Sequence, residues 1–523
     1  MDVLRLGRWQ LITPGRQQRS PREATRQYCV TAHARVTDGC WMPPATGASL
    51  IRRPLVPRIY RKLLPFPQCL LNPLHWADGM ISVFYLKHSD TGQLSNVDRD
   101  YPGQLAMQKP PNLDQQYSEA CEELKQPENP FIFRVLQEVK LNSDILIKNI
   151  TVKIAGNNRL IPVVKVTDGD FQVLAAVFSN NVFLTGLDLR YNLLTDAGAA
   201  HIGAFLQDNH SLRYLNLMFN DIGTAGAEFI AKAMHRNETL KHLRMTGNKI
   251  DNKGGMYFAA MLQINGTLQK LDLGDCDLGT QSLIAFATVL NHSVSIKAIN
   301  LNRPILYSEE EETTVHIALM LRANSTLVEL HLCKHEMKNF GIERLCDALY
   351  ENRSLRYLDL SCNKITRDGV SFLGKLLKLN NTMEILDLNF NRIEDDGAFY
   401  LSEALALRNR TLQALAVTNN NITGKGLVAL AEAMKTNQVL SYIYIWGNKI
   451  DEPTCVAFAD LLQSGRLKPT STDVEPYVVD GCTYLAEVSH GLKRHYYWTP
   501  SYGEPDNQDA NASLAIAPVE EHL

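Results

Sequence analysis

His331 and His335 stand four residues apart, a spacing that puts two imidazoles on one face of a helix as metal ligands. The flanking Leu330-His331-Leu332 alternates like a strand, so the pair is set at a strand end and is expected to bind no metal. Gly424-Lys425-Gly426 has the glycines and lysine of a phosphate loop but lacks the rest of that motif, and reads as a turn. No nucleophile elbow or arranged base is found. Ten cysteines are scattered without a C-x-x-C pair, so neither a zinc knuckle nor a redox dithiol motif is suggested. His490 to Trp498 interleaves cations with aromatics, which could stack bases; its short length and acidic setting favour a capping strand with an aromatic inner face. The sequence therefore predicts no enzyme, no cofactor and no metal. What remains is a set of side chains suited to holding another protein: Arg190, Tyr191, Phe219, Asp359, Asp387, Phe390, Tyr444 and Trp446.

Those residues share one frame. The phrase Leu-x-x-Leu-x-Leu-x-x-Asn-x-Ile/Leu recurs almost every 28 residues between Asn192 and Asn448, most clearly as Leu212-Leu215-Leu217-Asn220-Ile222, Leu355-Leu358-Leu360-Asn363-Ile365 and Met383-Leu386-Leu388-Asn391-Ile393. Weaker copies centre on Cys276, Pro304 and His335, with a degenerate first one at Val152-Ile154-Asn157, giving about eleven units. Leu-x-Leu has strand alternation, whereas the stretch that follows, such as Val370, Leu373 and Leu377, has helical spacing. One strand and one helix cannot bury that stripe alone, so units must stack: an α/β solenoid with parallel strands on the concave face and helices on the convex face. The recurrent asparagine is expected to satisfy main-chain groups where the strand ends. With the leucines inward, the x positions face outward on the concave side, and the residues named above occupy them, together with Asp188, Asn216, Met218, Arg244, Asp272, Asp275, His331, Lys334 and Asn389.

A 28-residue repeat with a full helix resembles the ribonuclease-inhibitor-like subclass of leucine-rich repeats, over Leu146 to Leu467. The resemblance implies a protein-binding scaffold. The phrases LTGLDLRYNLLTDAGA, LRYLDLSCNKITRDGV and MEILDLNFNRIEDDGA are similar to one vertebrate group in that subclass, which implies a nuclear, nucleolar and cytoplasmic location, ribosome-assembly partners and a role in germ- or stem-cell differentiation. Two alternatives stay open. Some members of the subclass resemble the activator of the Ran GTPase, though this chain lacks the long acidic C-terminal region of its animal forms. Direct inhibition of a ribonuclease is disfavoured, because that inhibitor has a more cysteine-rich and more acidic array.

Composition agrees with an intracellular protein. With 523 residues, 45% of them apolar, there is chain for a large core, and a net charge of −3 implies no polyanionic partner. No apolar stretch is long enough to span a membrane and no secretory leader is recognised. The Asn-x-Ser/Thr triplets at Asn209, Asn237, Asn265, Asn291, Asn324, Asn352, Asn380 and Asn409 recur with the repeat. They read as helix terminators using the left-handed tolerance of Asn rather than as glycosylation sites.

Four regions are expected. Residues 1–79 form a disordered Arg/Pro-rich arm, with twelve basic side chains by Lys62 against Asp2, Glu23 and Asp38. A transit peptide, a nuclear-import or nucleic-acid arm and an accessory extension ahead of Met80 all remain open for it. Residues 80–140 form a helical cap, with helices near Ser118–Leu124 and Pro130–Glu138. The solenoid covers 141–467, and 468–523 is a C-terminal flank with an acidic disordered tail. Pro304 at the asparagine position should distort its turn. The next unit follows after 31 residues, the excess falling at the acidic run from Ser308 to Thr314, read as a solvated helix N-terminus in preference to a partner-binding bulge.

Overall fold

A computed structural model describes residues 112–158, 161–307 and 311–488 apart from 142–149, all within one compact unit spanning Gly103–Leu523. The arm 1–79, the cation-aromatic segment His490 to Trp498, the tail from Ser501 and the start of the acidic run lie outside the described residues.

Eleven parallel strands form one sheet in strict sequence order. They are β1 (Ile150–Lys153), β2 (Leu184–Asp188), β3 (Tyr214–Asn216), β4 (His242–Arg244), β5 (Lys270–Asp272) and β6 (Ala298–Asn300), then β7 (Glu329–His331), β8 (Tyr357–Asp359), β9 (Ile385–Asp387), β10 (Ala414–Ala416) and β11 (Tyr442–Tyr444). A helix follows each strand: α3 (Asp168–Phe178), α4 (Asp196–Asp208), α5 (Thr224–Met234), α6 (Asp251–Leu262), α7 (Thr280–Leu290), α8 (Glu312–Ala323), α9 (Asn339–Leu349), α10 (Arg367–Leu377), α11 (Glu394–Leu407), α12 (Gly424–Thr436) and α13 (Glu452–Gln463). Each of these helices packs on the next, and one hydrophobic core runs unbroken between helices and sheet. Val370, Leu373 and Leu377 are all buried in it. The chain is the leucine-rich-repeat solenoid its spacing predicts.

Two side-chain ladders join the units. Asn220 Nδ2 donates to the carbonyl of Leu189 in the preceding unit and of Leu217 in its own, both at 3.0 Å, while its Oδ1 accepts Leu194 N at 3.2 Å. Asn363 and Asn391 repeat the pattern. Cys276 keeps one bond, Sγ to the Met245 carbonyl at 3.2 Å, and His335 Nε2 lies 2.9 Å from the Leu301 carbonyl. The second ladder is the Asn-x-Ser/Thr series. Asn237 Nδ2 donates to Leu206 O at 2.8 Å, and its Oδ1 accepts Leu240 N at 2.8 Å. Its members other than Asn291 are buried, and Asn209 and Asn324 have φ of −85° and −73°, extended rather than left-handed. The expected conformation is thus corrected: Asn is chosen because one amide closes two neighbouring units.

Several acidic side chains at helix starts cap the next helix, whereas Asp451 and Asp251 cap their own. Asp196 Oδ1 accepts Gly223 N at 2.7 Å and Gly226 N at 2.9 Å. A Cβ at Gly226 would fall 2.6 Å from that oxygen, so glycine is required there. Glu311, in the acidic run, caps α9 in the same way through Lys338 N and Gly341 N. Carboxylates are favoured at these positive helix ends.

The distortion expected at Pro304 is absent. Strand register continues through β5, β6 and β7, Arg303 N still reaches Cys333 O at 2.9 Å, and Ile305 N reaches Leu278 O at 2.7 Å. Proline there forgoes the ladder amide but leaves the neighbouring main-chain bonds in place.

Both described ends of the core are covered. α1 (Leu113–Leu124) and α2 (Pro130–Leu141) pack together, on α3 and on β1, burying Tyr117, Phe131 and Leu136. At the other end the hairpin β12 (Val474–Val479) and β13 (Cys482–Glu487) packs on α13. Asp480 and Gly481, with φ of 52° and 82°, make its two-residue turn. Asp473 accepts Ile445 N and Trp446 N, each at 2.9 Å, in place of a twelfth strand. Arg466 donates to Met434 O and Leu440 O at 2.8 Å where the next asparagine of the second ladder would stand.

Candidate functional site

Each solenoid strand presents three positions to the concave side. The register aligns them into rows: Tyr214, His242, Lys270, Ala298, Glu329, Tyr357 and Ile385 in the first, and Asp188, Asn216, Arg244, Asp272, Asn300, His331, Asp359, Asp387, Ala416 and Tyr444 in the second. Arg190, Met218, Cys333 and Trp446 continue the alternation into the third. The first row escaped the sequence reading, although extending the Leu-x-Leu alternation back by one residue finds it.

The second row is not the solvent-facing surface that the x positions led us to expect. Asp188, Asp272, Asp359 and Asp387 are buried, as are Arg190 and Arg244. Neighbouring strands stand only about 4.8 Å apart, so side chains in register wall one another off from water. Charges are matched within and between the rows: Asp188 with Arg190 at 3.4 Å, and Asp272 with Arg244 at 3.2 Å and with Asn300 Nδ2 at 2.8 Å. Tyr444, only 2% exposed, packs in a small apolar cluster with Tyr357, Ile385, Ala414 and Ala416 and is no exposed anchor.

The centre of the face holds a buried ionic group. His331 Nε2 is 2.6 Å from Glu329 Oε1 and its Nδ1 is 3.3 Å from Asp359 Oδ2. Burial opposes the imidazolium, but the two carboxylates outweigh it and raise its pKa to about 10. Burial likewise opposes ionisation of Asp359, yet the His331 contact holds its pKa below the ordinary range. Asp387, next in register, is pushed well up by burial and by Asp359. Asp359 and Asp387 thus face each other with only one of them readily charged. Among the described residues no three His, Cys, Asp or Glu side chains converge as metal ligands.

A further row lies just beyond these, immediately before the asparagine ladder or its substitutes. Tyr191, Phe219, Gly247, Asp275, Arg303, Lys334, Cys362, Phe390, Asn419 and Gly447 all have φ between 53° and 78°. The turn from strand to ladder demands the left-handed conformation, which costs a residue with a Cβ about 1–2 kcal/mol. Tyr191 and Phe219 stack there, centroids 4.7 Å apart and planes within 9°. Gly247 follows because a Cβ would enter the Phe219 ring. Phe390 stands 56% exposed. Trp446 is half-buried against the core edge, two strands from Phe390 and so about 10 Å away. The structure therefore pairs Tyr191 with Phe219 and Asp359 with Asp387, but does not join Phe390, Tyr444 and Trp446 into one patch.

Elsewhere a 530 Å³ depression lies where helix ends meet strand starts, lined by Asn181, Thr185, Asp208, Ser211, Arg213 and Glu238 among others. No helix among the described residues is long and apolar enough to cross a membrane.

Comparison with known proteins agrees with this architecture. A leucine-rich-repeat family model matches residues 208–231, 236–259, 265–287, 351–374, 379–402 and 408–431. Leucine-rich repeat-containing protein 34 of Mus musculus is 65% identical over 79% of this chain and 99% of its own length. The human protein of that name is 64% identical over 78% of this chain and 88% of its own, and the Rattus norvegicus protein 63% identical over 79% and 99%. A Listeria monocytogenes internalin, 14% identical with a TM-score of 0.33 over 71% of this chain and 99% of its own, is too distant to argue from. The chain belongs to the leucine-rich-repeat proteins and, within them, to the leucine-rich repeat-containing protein 34 family.

Proposed function

We propose that the chain is a non-enzymatic intracellular scaffold that holds a protein partner against the concave face. Phe390, Trp446 and the Tyr191–Phe219 stack would serve as its anchors. Arg190, Asp359, Asp387 and Tyr444 lie beneath as the packed floor that fixes the surface. The observation that carries this reading is Phe390: an aromatic ring more than half exposed, held at φ 56°, where glycine would serve the turn without strain. Strain that brings the fold no burial argues for a role outside the fold. Exposed aromatics over a polar floor are the usual composition of a protein-binding centre.

The family resemblance supports a nuclear and nucleolar partner among ribosome-assembly proteins, with a link to germ- or stem-cell differentiation. Cross-linking mass spectrometry in cells, comparing wild type with Phe390→Gly combined with Trp446→Ala, tests the assignment. Partners cross-linked to the concave strands should be lost from the variant while its circular dichroism is unchanged; equal cross-linking by both would remove the concave face from consideration. A turnover assay over a panel of small GTPases tests the regulator alternative, for which acceleration by the wild type would be decisive.

A further inference from the structure

Cys333 and Cys362 stand on neighbouring units next to the ionic group of the concave face. Strands β7 and β8 pair with His331 opposite Asp359, and the pairing continues as Lys334 N donates to Ser361 O at 3.1 Å. Adjacent strands are about 4.8 Å apart, and Cys362 stands one residue out of register with Cys333, so their Cα atoms are about 6 Å apart, inside the span that a disulfide bridges. Cys333 lies opposite Ser361 and Cys362 opposite Lys334, which sets the two thiols diagonally beside each other. Cys362 is exposed and Cys333 half-buried, whereas Cys121, Cys276, Cys346 and Cys455 are buried. Cys362 occupies the left-handed position, φ 55°, which other units fill with Gly, Lys or Phe, so packing does not demand a thiol there.

We propose that Cys333 and Cys362 are a peroxide-sensitive dithiol that closes into a disulfide joining two adjacent repeats on the concave face. The neighbouring Cys333 thiol draws the Cys362 thiol down to about 7 against the opposing effect of burial and Asp359, with Lys334 and Arg303 assisting. Burial pushes the Cys276 and Cys346 thiols up, so they are poor competitors. Hydrogen peroxide is the oxidant. The Cys362 thiolate attacks one peroxide oxygen, the O–O bond breaks, and the departing hydroxide takes a proton to leave as water, giving a sulfenic acid. Cys333 then loses its proton to solvent and attacks the Cys362 sulfur; the S–O bond breaks and hydroxide leaves as a second water. Two thiols and one peroxide thus become one disulfide and two waters. The bridge removes a nucleophile and an ionisable group beside Asp359 and ties the two units together.

The test uses the full chain under graded hydrogen peroxide, with peptide mapping without reduction. A peptide linking Cys333 to Cys362 within one chain, two hydrogens lighter than its parts, is expected at peroxide levels that leave Cys482 unmodified. In Cys333→Ser a sulfenic acid trappable by dimedone should accumulate at Cys362; serine is the residue at the matching position of the next unit, Ser361, so that variant should fold. In Cys333→Ala, iodoacetamide alkylation of Cys362 at pH 7 should slow about tenfold as its thiol returns toward the ordinary value. Absence of the linked peptide, oxidation of Cys482 as fast as Cys362, a bridge found only between chains, or an unchanged alkylation rate in Cys333→Ala would overturn the proposal.

Discussion

Replacing His331 by glutamine should destabilise the solenoid and abolish a pH dependence whose sign is defined by the site. His331 is fully buried between Glu329 and Asp359, with Tyr357 edge-on at 4.7 Å. Its pKa stands near 10 in the fold against about 6.5 in an unfolded chain. Since the folded value is the higher, the native state holds the extra proton between them. The stabilisation is complete below about pH 6.5, declines as pH rises, and is gone above about pH 10. That interval, at about 1.4 kcal/mol per pH unit, sets a ceiling of about 5 kcal/mol. Removing the imidazolium also leaves Glu329 and Asp359 buried beside Asp387 without a counter-charge, a defect that costs about 3–5 kcal/mol. Urea unfolding followed by circular dichroism at pH 6.5, 7.5 and 8.5 reads both effects. Wild type should lose about 2 kcal/mol over that range relative to His331→Gln, the variant lacking the linkage. Adding Asp359→Asn to His331→Gln should recover stability, although Asp359→Asn alone is damaging. Parallel wild-type and variant curves across the three pH values would refute the buried-imidazolium reasoning.

His242 and His335 have the opposite behaviour, since burial holds both near 4. Stability present above about pH 6.5 should therefore fall as pH drops toward 4, and thermal unfolding of His242→Gln should show a shallower acid limb than wild type. Phe390→Gly should leave the melting temperature unchanged or raise it, by relief of about 1 kcal/mol of backbone strain, whereas Phe390→Val should lower it. Asn363→Ala removes donors to Leu332 O and Leu360 O and an acceptor for His335 N, and should cost about 2–4 kcal/mol in urea unfolding. Cys276→Ala, losing one thiol contact, should cost less. Expression through a secretory pathway followed by glycosidase treatment should produce no mobility shift attributable to Asn209, Asn237 or Asn352, because those amides are buried and already bonded.

Much of the candidate site was legible one unit at a time. Leu-x-Leu marked the inward residues, the asparagine marked the strand end, and counting from either placed Tyr191, Phe219 and Phe390 at one repeated position. The DG pair at Asp480-Gly481, between Val478-Val479 and Cys482-Thr483, is a strong two-residue hairpin signal that the sequence reading passed over. The helix terminators were recognised, but their backbone conformation was not, because their partners are carbonyls of the preceding unit.

The sequence by itself determined the period, the number of strands and the inward leucines, since alternation and helical spacing within 28 residues leave a stacked solenoid as the way to bury the apolar stripe. Tertiary structure decided which outward residues meet water. Exposure at Asp359 or Tyr444 depends on side chains one repeat away on either side and on the close spacing of strands, while Phe390 escapes because the left-handed turn directs it past the row. The meeting of His331 with Glu329 and Asp359, and of Cys333 with Cys362, arises from register between units, which no single unit's residues express.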